Sequence, residues 1–461
     1  MYLKGEEKMR FFEILFIGFT LLTLGSIILK FDVAKRYRKP IAMTETGLLI
    51  LSLLIDGYRW QIIPTYGLSI LVIVLLFTLK GKKEIRFPKS LVVGKIVGAL
   101  LAILVTISPL YAFPITQFKT PSGNYEVGTR SVMLTNNKNK KNEKDMMIQL
   151  YYPSVDNKGK FTDYSLDIDA LRHELARTQG MPDMITGHMN QIKTHSYLDG
   201  KVASDETFPL LIFSHGMTLY NRQNTFQLEE LASHGYVIAA VNYTKDSALT
   251  LFENQAYVPY EDKDLTLDYL DKHNLEWQAD ARFVLDSLLD KKNKKYDDVM
   301  KQVDTDKIGA LGHSYGGATS TYSLINDDRI KVAINMDGGF YGPAIKEGDI
   351  TKPFLLMNAS DTIKNMKEGK DPLFVECGIR NDQVNQPGVY KLILPNTDHG
   401  SFTDLAGFSP LIAVKNADYK KTFETINQVS LGFFDQHLKG KNKKAVDSFL
   451  NEHKDIKVEK Y

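Results

Sequence analysis

Residues 312–317 of the 461-residue chain read GHSYGG, a serine with a glycine two positions to either side. An apolar run, residues 308–311, leads into it, and a helix-compatible stretch, residues 318–325, leads out. Strand, sharp turn and helix in that order put Ser314 at the apex of the turn, where a hydroxyl can meet a substrate. Small neighbours are needed there so that the backbone can bend and the substrate can approach. A Gly-rich strand-to-helix turn can also be purely structural, so the chemistry depends on a base, an acid and an oxyanion hole elsewhere in the chain.

Serine is a weak nucleophile until a base removes its proton, and the same base must later protonate the leaving group. Of the ten histidines, His399 in LPNTDHGSF lies just after the last strand-like run and well downstream of Ser314. In a Ser, acid, His order the acid lies between them, on a loop at the carboxyl end of a strand. Asp337 directly follows VAINM (residues 332–336), and Asp361 follows PFLLM (residues 353–357) through Asn358, Ala359 and Ser360. Spacing leaves both open, the other being a surface-loop or helix-capping residue. The oxyanion hole needs two backbone N–H donors, one on the residue after the serine, Tyr315, and one from the loop after the third strand. That loop is SHGM, residues 214–217, which offers the Met217 N–H beside the pliable Gly216; His215 is expected to shape the loop rather than act as a base.

The elements that must position these groups begin at about residue 120, where strand and helix signals start to alternate. Residues 130–135 and 146–152 read as a hairpin around the Asn/Lys run 136–144. Residues 160–200 are polar and helix-like and are expected to be a helical insertion, with His173, His188 and His195 at surface positions. Buried strands follow at residues 209–213, 236–243, 308–311, 332–336, 353–357 and 389–394, with helices at 222–234, 275–289 and 419–437, the last closing the domain. In the second helix Trp277, Ala281, Val284, Leu285 and Leu288 recur at helical spacing as a core stripe. Alternating strands and helices after an antiparallel hairpin predict an α/β-hydrolase fold, a mostly parallel sheet flanked by helices, over residues 120–461.

Residues 1–114 differ in texture and are expected to be an all-α transmembrane region of about four helices, at 11–29, 46–62, 65–80 and 91–113. Basic residues cluster between the first two (Lys30, Lys35, Arg36, Arg38, Lys39) and between the last two (Lys80, Lys82, Lys83, Arg86, Lys89). The positive-inside tendency then places both loops in the cytoplasm and everything after residue 113 outside the cell membrane, although Lys4, Lys8 and Arg10 pull the other way. The turn DGYRWQIIPTY, residues 56–66, has interfacial Trp60 and Tyr66, and its Asp56 and Arg59 are read as a rim pair.

A net charge of +2 with 24% charged residues argues against nucleic acid as a partner. The single cysteine, Cys377, rules out an intrachain disulfide or a cysteine-based zinc site and is expected in the core. No cofactor and no metal is implied.

FSHGM, LASHGYVIAAVNY, DKIGALGHSYGGAT, INMDGG and HGSFTDL together resemble the platelet-activating factor acetylhydrolase family of the secreted, plasma-enzyme type and its bacterial relatives, over residues 121–439. The amino-terminal apolar segments with their RWQ turn resemble a membrane-anchored bacterial branch. The resemblance implies Ser314 as nucleophile, His399 within an H-x-x-F-x-D pattern with Phe402 and Asp404, and Asp337 rather than Asp361 as the acid. It also implies the Met217 and Tyr315 amides as oxyanion donors. The implied reaction is hydrolysis of a short or oxidised acyl ester, on a glycerophospholipid or a simpler lipid or small-molecule ester, beside a membrane. The Met-Thr-Leu after SHG and the DGG after the acid depart from animal members and bear on the acyl pocket. Acyl transfer by the same groups, or a non-catalytic hydrolase scaffold, are the alternatives.

Overall fold

In the computed structural model the chain divides into two units, Met1–Pro114 and Ile115–Tyr461. Residues 10–28, 32–78, 89–136, 144–155, 159–252, 254, 256–290, 292, 296–411, 418–442 and 444–461 are described.

The first unit contains α1 (Phe11–Ile28), α2 (Asp32–Arg36), α3 (Arg38–Leu51), α4 (Ile63–Thr78) and α5 (Lys89–Ala112). The segment expected at 46–62 differs from the sequence reading. Its helix begins at Arg38, inside the basic stretch, because Lys and Arg are good helix formers and Pro40 falls in the first turn, where proline is tolerated. It runs on as a π turn, Ser52–Asp56, and stops at Gly57, whose φ of 79° no ordinary residue adopts readily. Two stretches, Phe11–Ile28 and Trp60–Thr78, are long and apolar enough to cross a membrane, by length and composition; Ile96–Ala112 is apolar but shorter. The basic residues Lys30, Lys80, Lys82, Lys83 and Arg86, and the tail with Lys4 and Lys8, lie outside the described residues. Arg59 does not pair with Asp56: it bonds Glu13 of α1, while Asp56 accepts the Glu13 N–H at 2.8 Å.

The second unit is one eleven-stranded sheet with helices on both faces, plus a two-stranded ribbon. In chain order its elements begin with β1 (Glu126–Asn136), β2 (Lys144–Ser154), β3 (Phe161–Asp163), α6 (Ile168–Thr178), β4 (Lys193–Leu198), β5 (Phe208–Ser214), α7 (Thr225–Ser233) and β6 (Val237–Asn242). The ribbon β7 (Leu249–Leu251) and β8 (Tyr257–Pro259) follows, then α8 (Leu267–Leu289), α9 (Asp297–Met300), β9 (Val303–His313), α10 (Tyr315–Asn326) and β10 (Ile330–Met336). Last come β11 (Phe354–Ala359), α11 (Ser360–Glu368), α12 (Pro372–Gln383), β12 (Val389–Leu394), α13 (Leu405–Phe408), α14 (Tyr419–Leu438), α15 (Ala445–Glu452) and β13 (Lys457–Lys460).

The sheet runs β13-β12-β11-β10-β9-β5-β6-β2-β1-β4-β3. From β12 to β6 every neighbour is parallel, and the β1–β2 hairpin joins β6 antiparallel. Every residue of β5 and β6 is buried, as a sheet covered on both faces requires. Alternate side chains feed two cores. Leu211, Phe213, Ile238 and Ala240 pack with α7 and α14, and Leu210, Ile212, Val237 and Ala239 with Trp277 of α8. Helix α8 starts earlier than its apolar stripe, at Leu267, where the Thr266 hydroxyl accepts the Tyr269 N–H.

Three features depart from the sequence reading. Residues 160–200 are helical only in α6 and two short 3-10 turns; β3 and β4 extend the sheet instead. Thr194, Ser196 and Tyr197 of the polar strand β4 are buried, and Glu229 of α7 accepts both the His195 N–H (2.8 Å) and the Ser196 hydroxyl (2.6 Å). Of the three histidines placed on the surface, only His173 is exposed on a helix. His195 lies on β4, and His188 is fully buried with Nε2 at 2.8 Å from the Phe408 carbonyl. The chain also continues past the last predicted helix, as α15 and the edge strand β13, antiparallel to β12. The Asn/Lys loop, residues 137–143, lies outside the described residues.

Candidate active site

Ser314 sits between β9 and α10 with φ 56° and ψ −122°, a strained conformation for a residue with a side chain. Close approaches on every side hold it. A Cβ on Gly316 would stand 2.1 Å from the Ser214 carbonyl oxygen, and one on Gly312 would stand 2.2 Å from the Gly316 carbonyl oxygen. The Ser314 N–H donates to the Met336 carbonyl at 2.9 Å, tying the turn to β10. The Ser314 carbonyl accepts from Gly317 and Ala318 as α10 begins.

His399 lies on a 3-10 turn, His399–Phe402, after β12. Its Nε2 is 2.8 Å from Ser314 Oγ and its Nδ1 is 2.7 Å from Asp337 Oδ2. Asp337 ends β10 at φ 56° with its N–H on the Met357 carbonyl (2.7 Å). Its other bonds come from the Ala359 N–H to Oδ1 (2.8 Å) and the Thr362 hydroxyl to Oδ2 (2.7 Å). With the carboxylate accepting, the His399 proton rests on Nδ1 and Nε2 is left to receive the serine proton. Burial opposes charge on both partners, but the contact between them outweighs it, so the imidazole titrates above its ordinary range and the carboxyl below. Asp361 stands in the first turn of α11 with its N–H on the Thr397 carbonyl at 3.1 Å; the carboxylate bonded to His399 is that of Asp337.

The SHGM loop passes directly over the serine: a Cβ on Gly216 would be 3.2 Å from Ser314 Cβ and 3.1 Å from His313 Nδ1. Met217 follows, half-buried, and Thr218 turns the chain at φ 65° with its N–H on the Asp246 carbonyl (2.9 Å). Tyr315 is the first residue of α10, so its N–H is one of the first-turn amides with no acceptor inside the helix. His215 is buried and neutral: its Nε2 accepts the Tyr243 N–H (3.1 Å), its Nδ1 donates to the Gly216 carbonyl (2.7 Å), and burial pushes its pKa down to about 4.

Sequence reasoning missed three supporting residues. His313, just before the serine, is buried with its ring 4.6 Å from that of His399; Nε2 donates to the His399 carbonyl (3.0 Å). Burial and the adjacent His399 push its pKa down to about 3, so it braces the base without competing with it. Gln223 links three loops through bonds to the Gly216 N–H (2.9 Å), His313 Nδ1 (3.2 Å) and the Asp404 N–H (2.7 Å). Asp246 accepts Trp277 Nε1 (2.8 Å) and His273 Nε2 (2.9 Å) and pairs with Lys263. Burial alone would raise its pKa, but the contacts with His273 and Lys263 hold it well below the carboxylate range. His313 stands inside GHSYGG, but neither its type there nor Gln223 or Asp246 outside any motif signals a bracing role in the sequence. Asp404 accepts the Thr225 (2.9 Å) and Phe226 (3.3 Å) N–H groups at the start of α7 and the Tyr164 hydroxyl (2.7 Å), anchoring the turn that follows His399. Cys377 is buried against the Tyr341 hydroxyl (3.5 Å), and burial raises its thiol pKa.

The parallel sheet, the serine turn after β9, and an acid and a histidine after later strands define an α/β-hydrolase. The model of the platelet-activating factor acetylhydrolase, isoform II, family matches residues 110–283 and 280–458, and the chain belongs to that family. It is 27% identical over 263 residues to the platelet-activating factor acetylhydrolase of Bos taurus, covering 49% of this chain and 56% of the bovine one. The guinea-pig (Cavia porcellus) acetylhydrolase is 24% identical over 360 residues, 69% of this chain and 78% of its own. A probable 1-alkyl-2-acetylglycerophosphocholine esterase of Arthroderma benhamiae is 27% identical over 145 residues, 30% of this chain and 34% of its own. Among solved structures, a ferulic acid esterase from Streptomyces cinnamoneus matches in fold with a TM-score of 0.61 at 23% identity, over 75% of this chain and 100% of that one.

Proposed function

We propose that the unit Ile115–Tyr461 hydrolyses carboxylic esters with Ser314 as nucleophile, His399 as base and acid, and Asp337 as the group that orients the imidazole. The observation that carries this is the chain of contacts Ser314 Oγ to His399 Nε2 (2.8 Å) and His399 Nδ1 to Asp337 Oδ2 (2.7 Å). The serine oxygen attacks the ester carbonyl as its proton passes to Nε2, and Asp337 stabilises the imidazolium that forms. The Met217 and Tyr315 amides donate to the tetrahedral oxyanion. Collapse expels the alcohol, protonated by His399, and water repeats the sequence on the acyl-enzyme. The names of the mammalian and fungal relatives suggest an acetyl or similarly short acyl group on a glycerophospholipid.

The first unit anchors this domain to a membrane as a multi-pass segment with the catalytic domain outside the cell. A reporter fused after Pro121 tests that orientation: activity only in the cytosol overturns it. For the chemistry, a fluorophosphonate probe should label wild type and not Ser314→Ala, and turnover of short nitrophenyl esters and short-chain phospholipids should fall by about 10⁶ in Ser314→Ala. Labelling that survives the substitution overturns the assignment.

A further inference from the structure

The first unit is built the opposite way to a water-soluble helical bundle. Outward side chains such as Leu22, Met43 and Leu54 are apolar and at least 75% exposed, whereas Thr20, Glu45, Ser52, Gln61, Thr65 and Ser69 are all at 0% exposure. Thr65 and Ser69 share one face of α4, four residues apart, with Gln61 four residues before them, and Ser52 opens the π turn seven residues after Glu45 of α3. Among the described residues of this unit, the buried Ser52 Oγ, Gln61 Oε1, Thr65 Oγ1 and Thr106 Oγ1 have no hydrogen-bond partner. Such atoms are rare in folded proteins, and a concentration of them marks an interior that accommodates something further.

Glu45 is the acid of that interior. Its Oε1 lies 2.5 Å from the Thr20 hydroxyl, which is also 2.9 Å from the Phe16 carbonyl. A hydroxyl has one proton and a carbonyl can only accept. The single Thr20 proton is therefore shared between the Phe16 carbonyl and Glu45 Oε1, so this hydroxyl gives an ionised Glu45 at most part of a hydrogen bond and no charge compensation. Ser69 of α4 faces the same carboxyl.

No charged side chain of the unit supplies that compensation among the described residues. Arg10 and Arg59 both bond Glu13, whose N–H bonds Asp56. Thr20 lies seven residues from Glu13, about 10 Å along α1. Arg38 and Lys39 open α3, about 10 Å before Glu45, and Lys39 is exposed. Arg36 is exposed over the Tyr37 ring (5.6 Å), and the tyrosines of the unit, Tyr58 and Tyr66 among them, carry no positive charge. A fully buried carboxylate cannot persist without compensation.

We propose that Glu45 is a monovalent-cation site inside the helical unit, its carboxyl neutralised by a bound proton or by a small hard cation such as sodium, with the Thr20 and Ser69 hydroxyls as further oxygen partners. One carboxylate balances one positive charge; a divalent ion would leave a net charge buried.

The test uses the full chain in phosphatidylcholine vesicles, with infrared spectra and dicyclohexylcarbodiimide, which reacts with buried protonated carboxyls. Choline buffer is compared with sodium buffer at neutral pH. The proton source predicts a protonated-carboxyl band that Glu45→Gln removes, and carbodiimide labelling of Glu45, both unchanged by sodium. The sodium source predicts that sodium removes the band and slows labelling at least several-fold. If Glu45→Gln fails to fold, Thr20→Val keeps the acid and should shift the band or weaken the protection by sodium. The proposal is overturned if no carboxyl band responds to either substitution and labelling of Glu45 is absent in both buffers.

Discussion

At the scale of single residues, the contact between His399 and Asp337 fixes how the site should answer to pH. The base works only when neutral, and the carboxylate raises the imidazole above its ordinary value of 6.5 despite burial, which pulls the other way. Activity is therefore expected to fall as the pH drops through a value above 6.5, read as the acid limb of kcat/KM. The stability that this pairing gives His399 has the opposite sign: it is fully present below the unfolded value and is lost as pH rises through the folded one. Asp337→Asn should lower kcat by about 10⁴, with the wrong tautomer favoured, and move the limb down. Asp361→Asn should leave both nearly unchanged; if Asp361→Asn alone abolished turnover, the orienting role would belong to Asp361. The serine and the histidine were legible because each stands in a local motif. Spacing did not separate the two aspartates, since each follows a strand; the family resemblance pointed to Asp337, and the register of β10 beside β11 brings Asp337 Oδ2 to the imidazole.

At the scale of elements, the turn between β9 and α10 tolerates no added atom. Gly316→Ala would push a Cβ to 2.1 Å from the Ser214 carbonyl, backbone against backbone, so β5 or the turn must move. The expected cost is about 4 kcal/mol or more, read by thermal or denaturant unfolding. The SHGM loop depends on a different support. Its Thr218 N–H is held by the Asp246 carbonyl, and the Asp246 side chain is held by Trp277, His273 and Lys263. Asp246→Asn leaves the largely buried Lys263 ammonium without its counter-charge and is expected to cost about 3–5 kcal/mol. It should also lower kcat by about 10²-fold with little change in KM, because a displaced Met217 amide is felt mainly in the transition state. An unchanged kcat in folded Asp246→Asn protein would separate the loop from this carboxylate. The parallel strands were legible as continuous apolar runs, whereas β4 was not, because Thr194, Ser196 and their neighbours are polar and Glu229, which bonds Ser196, comes from α7. The edge strand β13, Lys-Val-Glu-Lys, is exposed throughout and carries too little hydrophobic pattern to announce itself.

For the whole molecule, the change in composition near residue 114 was legible because the apolar runs end there, and the two units divide at the same point. What the sequence could not convey is how completely each unit is built. Ile115–Tyr461 contains the entire eleven-stranded sheet, both large cores and every residue of the proposed relay. A domain with its own core folds by itself. A chain reduced to residues 115–461 is therefore expected to unfold cooperatively and to hydrolyse water-soluble nitrophenyl esters with a kcat/KM within about twofold of the full chain. Esters presented in vesicles should separate the two forms. With the first unit as the proposed anchor, the site would sit at an effective local concentration of about millimolar against the bilayer, so the full chain should turn over vesicle esters about tenfold faster or more at equal enzyme. Paired rates on the same short-chain ester, free and in vesicles, measure this directly. Equal loss on both substrates would mean that the first unit shapes the site itself, and equal retention on both would mean that the anchor serves location alone.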